Sequence, residues 1–197
     1  LFWYLGTRVP GSADKVVKEH VSLVRSADPL QRPVFADVGG NPRSYSRMLD
    51  AVGLTRHPLH TEFTTLDYRK FLTQKTRQLL PGTFVTTWVQ TEISPKNGVL
   101  RSPLPVIEPE QIRLLTWTAL AAGMRGIGYW KSTGFDSQYP GALERELVIA
   151  IINQEIELLE PWLATQSVIE YRTVRAASTE KNVRRSRSND DEPGFGL

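Results

Sequence analysis

The sequence has no cysteine among its 197 residues and only three histidines. The absence of cysteine excludes disulfides, thiolate metal ligands and a cysteine nucleophile. His20, His57 and His60 are too few for a multi-histidine metal centre. We therefore expect neither a metal site nor a cofactor.

Long apolar runs and a strong excess of one charge are also lacking. No stretch approaches the roughly 18 consecutive apolar residues that a membrane-spanning helix needs. The formal net charge is only +3, and Arg184, Arg185 and Arg187 near the end contribute to it. Nucleic-acid binding calls for a basic stripe with exposed aromatic residues. The sequence thus predicts no membrane span and no nucleic-acid partner.

Strand-like and helix-like segments alternate along the chain. The predicted strands cover residues 1–5, 33–38, 51–56, 83–89 and 126–130. A helical segment follows each of them, which indicates an α/β fold with a parallel sheet. An open doubly wound sheet and a closed barrel both satisfy this pattern. The open sheet would need a glycine-rich phosphate turn, which Gly39-Gly40-Asn41-Pro42 does not supply, so the barrel is favoured.

The helical segments carry apolar stripes that predict which side chains are buried. The first helix follows Ser12, and its predicted inward residues are Val16, Val17, His20, Leu23 and Val24. We expect His20 to be a core residue. Thr64, with Asp67 three residues later, predicts a capped start for the third helix. Trp162, in the long last helix at 142–164, is also assigned to the core.

The two ends of the chain differ in composition from the body. Residues 1–5 form an apolar run without an initiating Met, which predicts a piece of a longer protein whose localisation the sequence does not reveal. From residue 165 onward the composition becomes polar and charged. We therefore predict one domain over 1–164, and a tail over 165–197 that starts with a β segment and is partly disordered.

Several short runs carry a resemblance to a known family. They are Arg32-Pro33-Val34, Thr87-Trp88-Val89-Gln90, Glu110-Gln111-Ile112-Arg113, and the run from Ala119 to Trp130. In this order they resemble glycoside hydrolase barrels of the large retaining clan, among them β-galactosidase-like bacterial members and uncharacterised relatives. The likeness spans roughly residues 1–164, and the run ending at Trp130 is similar to the seventh helix and eighth strand of those barrels.

This resemblance implies a partial (β/α)8 TIM barrel containing strands four to eight with their helices. Strands one to three, the N-terminal half of the barrel, are then missing from this chain. The resemblance also implies a carbohydrate partner and an exported, periplasmic or extracellular, location.

Retaining hydrolysis needs two carboxyl groups about 5 Å apart. In the family that this chain resembles, one of the two is the Glu of an Asn-Glu pair after strand four, and the other is a Glu that ends strand seven. Both lie at the C-terminal face of the barrel. Here Thr7-Arg8 stands where Asn-Glu would be expected. An arginine stays charged and cannot act as the general acid, so the usual acid/base is absent on this alignment.

Other polar and aromatic residues lie at or just beyond the ends of the predicted strands and could form a site. Glu92 and Asp37 are the catalytic candidates, although each could instead be a solvated loop carboxylate or a turn residue. The predicted substrate-binding residues are Trp88, Gln90, Trp130, His57, Glu62 and Arg8. An indole at a barrel mouth can stack on the apolar face of a sugar.

Three functions remain open at this point. The first is a glycoside hydrolase-like barrel that binds and hydrolyses a carbohydrate at its C-terminal face. The second is a non-catalytic carbohydrate-binding barrel that has lost the acid/base, and the third is a structural barrel. A second carboxylate about 5–6 Å from Glu92 or Asp37 would favour the enzyme, whereas Arg8 in that space would favour the binding protein.

Overall fold

The computed structural model describes residues 2–93, 106–132 and 140–164. Its regular elements are β1 (Trp3–Tyr4), α1 (Asp14–Ala27), β2 (Val34–Asp37), α2 (Pro42–Tyr45), β3 (Ala51–Gly53), α3 (Thr65–Thr76), β4 (Phe84–Gln90), α4 (Pro109–Ala121), β5 (Gly126–Trp130) and α5 (Ala142–Ala164). The predicted tail, 165–197, lies outside the described residues.

The five strands form one sheet in the order β1-β2-β3-β4-β5, and every neighbouring pair is parallel. The sheet is strongly curled. Flat strands three places apart would be separated by about 14 Å, yet the rings of Tyr4 on β1 and Trp88 on β4 have centroids 6.2 Å apart. The prediction of an α/β fold with a parallel sheet is confirmed, and the architecture is a curled half-barrel with helices.

The hydrophobic core lies between the convex face of the sheet and the helices. Alternate strand residues point to opposite faces, so Val34, Val52 and Val89 face the helices and are fully buried. Leu72 of α3 and Ile152 of α5 are likewise 0% exposed and belong to this core. These buried residues mark the convex face of the sheet, so the opposite face is the concave one.

The concave face is lined by aromatic rings. The ring centroid of Phe35 lies 5.7 Å from that of Phe2, 5.1 Å from that of Tyr4 on β1, and 6.5 Å from that of Trp88 on β4. The rings of Phe2, Phe35, Phe84 and Trp88 border a cavity of about 600 Å³. Phe2, Tyr4 and Phe84 are 59%, 40% and 44% exposed, so this apolar face is open in the described part of the chain.

On the concave face, β5 has glycines at two of the positions where it pairs with β4. A Cβ atom at Gly126 would lie 2.6 Å from Cγ2 of Thr86, and one at Gly128 would collide with the indole of Trp88. Gly128 pairs in register with Trp88, so the indole lies across the neighbouring strand. Glycine is required at both positions by space.

One buried carboxylate attaches β1 to the rest of the fold. Asp28 is 3% exposed and accepts a 2.8 Å hydrogen bond from Trp3 Nε1. It also accepts hydrogen bonds from Arg32, from Nε at 3.0 Å and from Nη2 at 3.2 Å. These bonds, that from Arg32 above all, hold the pKa of Asp28 below its usual range. The strand predicted at 1–5 is shorter in the structure, where β1 is Trp3–Tyr4 and both of its residues are 40% exposed.

The predicted core face of α1 was partly wrong. Val17 and Val21 are the buried residues, whereas Val16 and Leu23 are 52% and 66% exposed. His20 is exposed as well, with its ring Nδ1 2.8 Å from the carbonyl oxygen of Val16. The stripe of Val16, His20 and Leu23 and the stripe of Val17 and Val21 both have the spacing of one helix face. Only packing against the sheet decides which of the two is buried.

Two further details of the helices can be compared with the prediction. Trp162, assigned to the core, is 65% exposed because the buried contacts of α5 end in its first half. The capped start of α3 is confirmed: Thr64 Oγ1 accepts from the amide of Asp67, and the Asp67 carboxylate accepts from the amide of Thr64, both at 3.2 Å. Among the described residues, no helix has the length and apolar character to cross a membrane.

Candidate functional site

The C-terminal ends of the strands bring several of the predicted residues to one end of the half-barrel. Asp37 ends β2, Gln90 ends β4 and Trp130 ends β5. His57 lies in the segment that leaves β3, and Arg8 follows β1. Because all five strands are parallel, these positions share the edge at which α/β barrels carry their sites.

Gln90 is a completely buried cross-link between two of these strand ends. Its side-chain oxygen accepts a 3.0 Å hydrogen bond from the amide of Leu59, and its Nε2 donates to the carbonyl of Glu92 at 3.1 Å. The protein thus engages both ends of this amide. Gln90 positions the segment containing His57 against the end of β4.

Glu92 is a buried carboxylate, 8% exposed, with protein partners on both oxygens. Its Oε2 accepts hydrogen bonds from the amide and hydroxyl of Ser132, at 2.8 and 2.6 Å. Its Oε1 lies 3.3 Å from Nη2 of Arg145 on α5. Glu92 therefore joins the segments after β4 and β5 to the last helix.

Arg145 and Ser132 were not predicted from the sequence. Arg145 is 5% exposed and precedes the buried residues Val148 and Ile149 by three and four positions. A charged residue on the apolar stripe of a helix indicates a buried partner, and this signal was available. Ser132, a small polar residue just after β5, carried no comparable signal.

Asp37 lies on the concave side, at the C-terminal end of β2, and is 2% exposed. Its Oδ2 accepts a 3.3 Å hydrogen bond from the amide of Arg8. Burial raises the pKa of Asp37, and the opposing effects of the nearby Thr55 and Arg8 are smaller. A Cβ at Gly53, its register partner, would stand 3.1 Å from Oδ1, so glycine makes room for this carboxylate.

His57 is the least satisfied polar group of the site. It is 8% exposed, and among the described residues neither ring nitrogen has a hydrogen-bond partner. Its ring packs against Trp130 with centroids 4.8 Å apart and planes inclined by 48°. The pKa of His57 is lowered to about 4, mainly by burial and to a smaller extent by the positive charges of Arg8 and Arg56. The ring is therefore neutral at physiological pH.

The structure connects some predicted residues and separates others. The amide of Arg8 donates to Asp37, Arg8 and His57 line one cavity, and His57 packs against Trp130. Gln90 links the segment containing His57, through Leu59, to the Glu92 cluster. Trp88 instead belongs to the ring array of the concave face. Glu62 is exposed in the segment before α3. Within the described ranges, no group of three or more His, Asp or Glu residues could hold a metal ion.

Comparison with known proteins gives a likeness in structure alone. No family model matches the chain, and no curated protein matches it in sequence. Its structure is similar to a crystal structure from Bacteroides thetaiotaomicron VPI-5482 described as that of an α-L-fucosidase, with a TM-score of 0.53 and 12% sequence identity. The match covers 79% of this chain and 54% of that one, so this chain spans about half the length of its structural neighbour. What the two chains share is the fold, a curled parallel sheet with helices.

Proposed function

We propose that this chain is the C-terminal half of a glycoside hydrolase-like barrel and binds a carbohydrate at the C-terminal ends of its strands. The observation that carries the proposal is His57, a buried neutral imidazole beside Trp130 whose two nitrogens lack partners among the described residues. The likeness of fold to a protein described as an α-L-fucosidase supports the same conclusion.

The chemistry of this pair suits a sugar. A neutral imidazole offers one donor and one acceptor, and leaving both unused in a buried position costs about 1–3 kcal/mol each. The hydroxyl groups of a sugar can donate to one nitrogen and accept from the other. The apolar face of the sugar ring can then stack on the indole of Trp130.

The proposal assigns β1–β5 to strands four to eight of a (β/α)8 barrel of the large retaining clan. The remaining strands would close the barrel over the aromatic concave face, where Phe2, Tyr4 and Phe84 are open. The coverage of only 54% of the structural neighbour supports this assignment.

Hydrolysis would use two carboxyl groups with different roles. The raised pKa of Asp37 favours its protonated form, which suits a general acid. Glu92, held by Arg145 and Ser132, is the candidate for the second carboxylate. Both residues follow strand ends of the same sheet.

A non-catalytic carbohydrate-binding barrel is the second candidate. Thr7-Arg8 replaces the expected Asn-Glu pair, and the backbone of Arg8 is anchored to Asp37. Both oxygens of Glu92 already contact protein groups, which leaves this carboxylate less available to attack a sugar. These observations favour binding without turnover.

The test combines binding with turnover. We expect a panel of monosaccharides and aryl glycosides, including aryl β-galactoside and aryl α-L-fucoside, to contain a ligand whose affinity falls at least about tenfold in Trp130→Ala. Trp162→Ala, at an exposed position on α5, is the control that should bind like wild type. Equal binding by Trp130→Ala, or no binding of any sugar, would contradict the proposal.

Release of the aryl group distinguishes the two candidates. Turnover that is lost in both Glu92→Gln and Asp37→Asn supports the enzyme. Binding without turnover in the wild-type chain supports the non-catalytic barrel.

A further inference from the structure

A second cavity, of about 350 Å³, opens at the C-terminal ends of β2 and β3. Its lining includes His57 and three cationic residues, Arg8, Arg56 and Lys75, and no acidic residue. This composition differs sharply from that of the aromatic cavity on the concave face, where the lining is mainly apolar.

Each cationic residue is held at the cavity by a separate part of the fold. Arg8 has a left-handed backbone, with φ of 49°, and its amide donates to Asp37. The guanidinium carbon of Arg56 lies 4.9 Å from the ring centroid of Phe63. Lys75 Nζ donates to the carbonyl of Gly40 at 3.4 Å. A guanidinium stacked by its face keeps its in-plane donors available to an acceptor.

His57 gives independent support for a ligand in this cavity. It lines the cavity, it is more than nine-tenths buried, and both its nitrogens lack partners within the described residues. The charges of Arg8 and Arg56 also lower the pKa of His57, which indicates that the positive potential extends into its surroundings. The cavity therefore combines the neutral imidazole of His57 with the positive potential of Arg8 and Arg56.

We infer that this cavity selects an acidic sugar, with a carboxylate or sulfate group facing Arg8, Arg56 and Lys75 and a hydroxyl facing His57. The inference rests on the proposed carbohydrate function and adds the chemical class of the ligand. Three neighbouring cations repel one another, and an anionic group among them would relieve that repulsion while accepting charge-assisted hydrogen bonds. A neutral sugar would gain neither effect.

The inference is tested by calorimetric titration of the full chain with matched ligands at low salt. Glucose is the neutral probe, glucuronate carries a carboxylate in place of the 6-hydroxymethyl group, and glucose 6-sulfate carries a sulfate there. We expect at least one acidic sugar to bind about tenfold more tightly than glucose, with a preference that shrinks as salt is added. The identity of the preferred acid distinguishes a carboxylate site from a sulfate site.

Substitutions then localise the preference. Arg56→Gln should weaken binding of the acidic sugar by about three- to tenfold and leave glucose binding unchanged, whereas Arg56→Lys should keep part of the preference. Arg77→Gln, at the exposed end of α3 outside the lining, removes the same charge and should have no effect. Circular dichroism checks that each variant is folded.

The outcomes separate this inference from the function on which it rests. Equal affinities for glucose and both acids, or an acid preference that survives Arg56→Gln and Lys75→Gln together, would overturn the acidic-sugar assignment while leaving carbohydrate binding intact. Binding of inorganic sulfate with no binding of any sugar would overturn both.

Discussion

At the scale of single residues, burial of His57 links stability to the proposed site. The folded protein holds this imidazole neutral, with a pKa of about 4, whereas an unfolded chain protonates histidine near pH 6.5. Between these two values the unfolded state binds more protons. The contribution of His57 to stability is therefore present above pH 6.5 and is lost as the pH falls toward 4.

We accordingly predict that wild type loses about 1–2 kcal/mol more than His57→Gln between pH 7 and pH 5. Denaturant unfolding at both pH values measures the two free energies, and their difference cancels groups common to both proteins, including Asp37. His20→Gln is the matched control because His20 is exposed. The same pH dependence in wild type and His57→Gln would show that the histidine is not held neutral by the fold.

How far the site could be predicted depends on the kind of residue. Asp37 and Trp130 lie at the ends of strands whose sequence patterns were clear, so their position at one edge of the sheet could be predicted from the parallel topology. The Glu92–Arg145 ion pair could not, because it joins residues 53 positions apart through the packing of α5. Gln90 was predicted as a sugar ligand, but its amide is used within the protein. A sequence shows that a polar group is present, and only packing shows what it contacts.

At the scale of elements, strand positions were more predictable than helix faces. The predicted strand at 126–130 coincides with β5, and the one at 83–89 is displaced by one residue from β4. The predicted strand at 51–56 was too long, since β3 ends at Gly53. On α1 the error was rotational: Val21, and not His20, faces the core. Glycines and prolines delimit strands locally, whereas the buried face of a helix is decided by its neighbours.

The start of α3 is a case in which local sequence suffices. Thr64 and Asp67 exchange hydrogen bonds at the N-terminus of the helix, and Thr64 lowers the pKa of Asp67. We predict that Thr64→Ala lowers the free energy of unfolding by about 0.5–2 kcal/mol. Thr73→Ala, in the interior of the same helix, should be near neutral because alanine favours the helix. Chemical denaturation of both variants provides the comparison, and equal losses would contradict a specific capping role.

At the scale of the whole molecule, the alternating pattern was enough to predict five parallel strands, and the lack of a glycine-rich turn favoured a barrel, but neither showed which residues meet on the concave face. The curl depends on which residues meet on the concave face, such as Tyr4 and Trp88. In the strand order, β1 and β5 are the outer strands of the described sheet, and Phe2 and Phe84 are exposed on the concave face between them. Unpaired strand edges beside an apolar surface promote association.

We therefore predict that the 197-residue chain, expressed alone, self-associates and binds a dye specific for apolar surfaces. Sedimentation velocity over a range of concentrations measures the association. Phe84→Glu should weaken it by placing a charge on the concave face, whereas Leu23→Glu, on exposed α1, should change it little. A monomer at all concentrations that also unfolds in one sharp transition would contradict this prediction.

The two glycines of β5, Gly126 and Gly128, have an evolutionary consequence. Since the indole of Trp88 occupies the space above Gly128, and Thr86 the space above Gly126, each glycine and its neighbour on β4 share a single volume. A homologue that gains a side chain at either glycine must give up bulk on β4 in the same lineage. These two pairs of positions are therefore expected to covary, so that an alignment of homologues would preserve the total size of each pair while its members change.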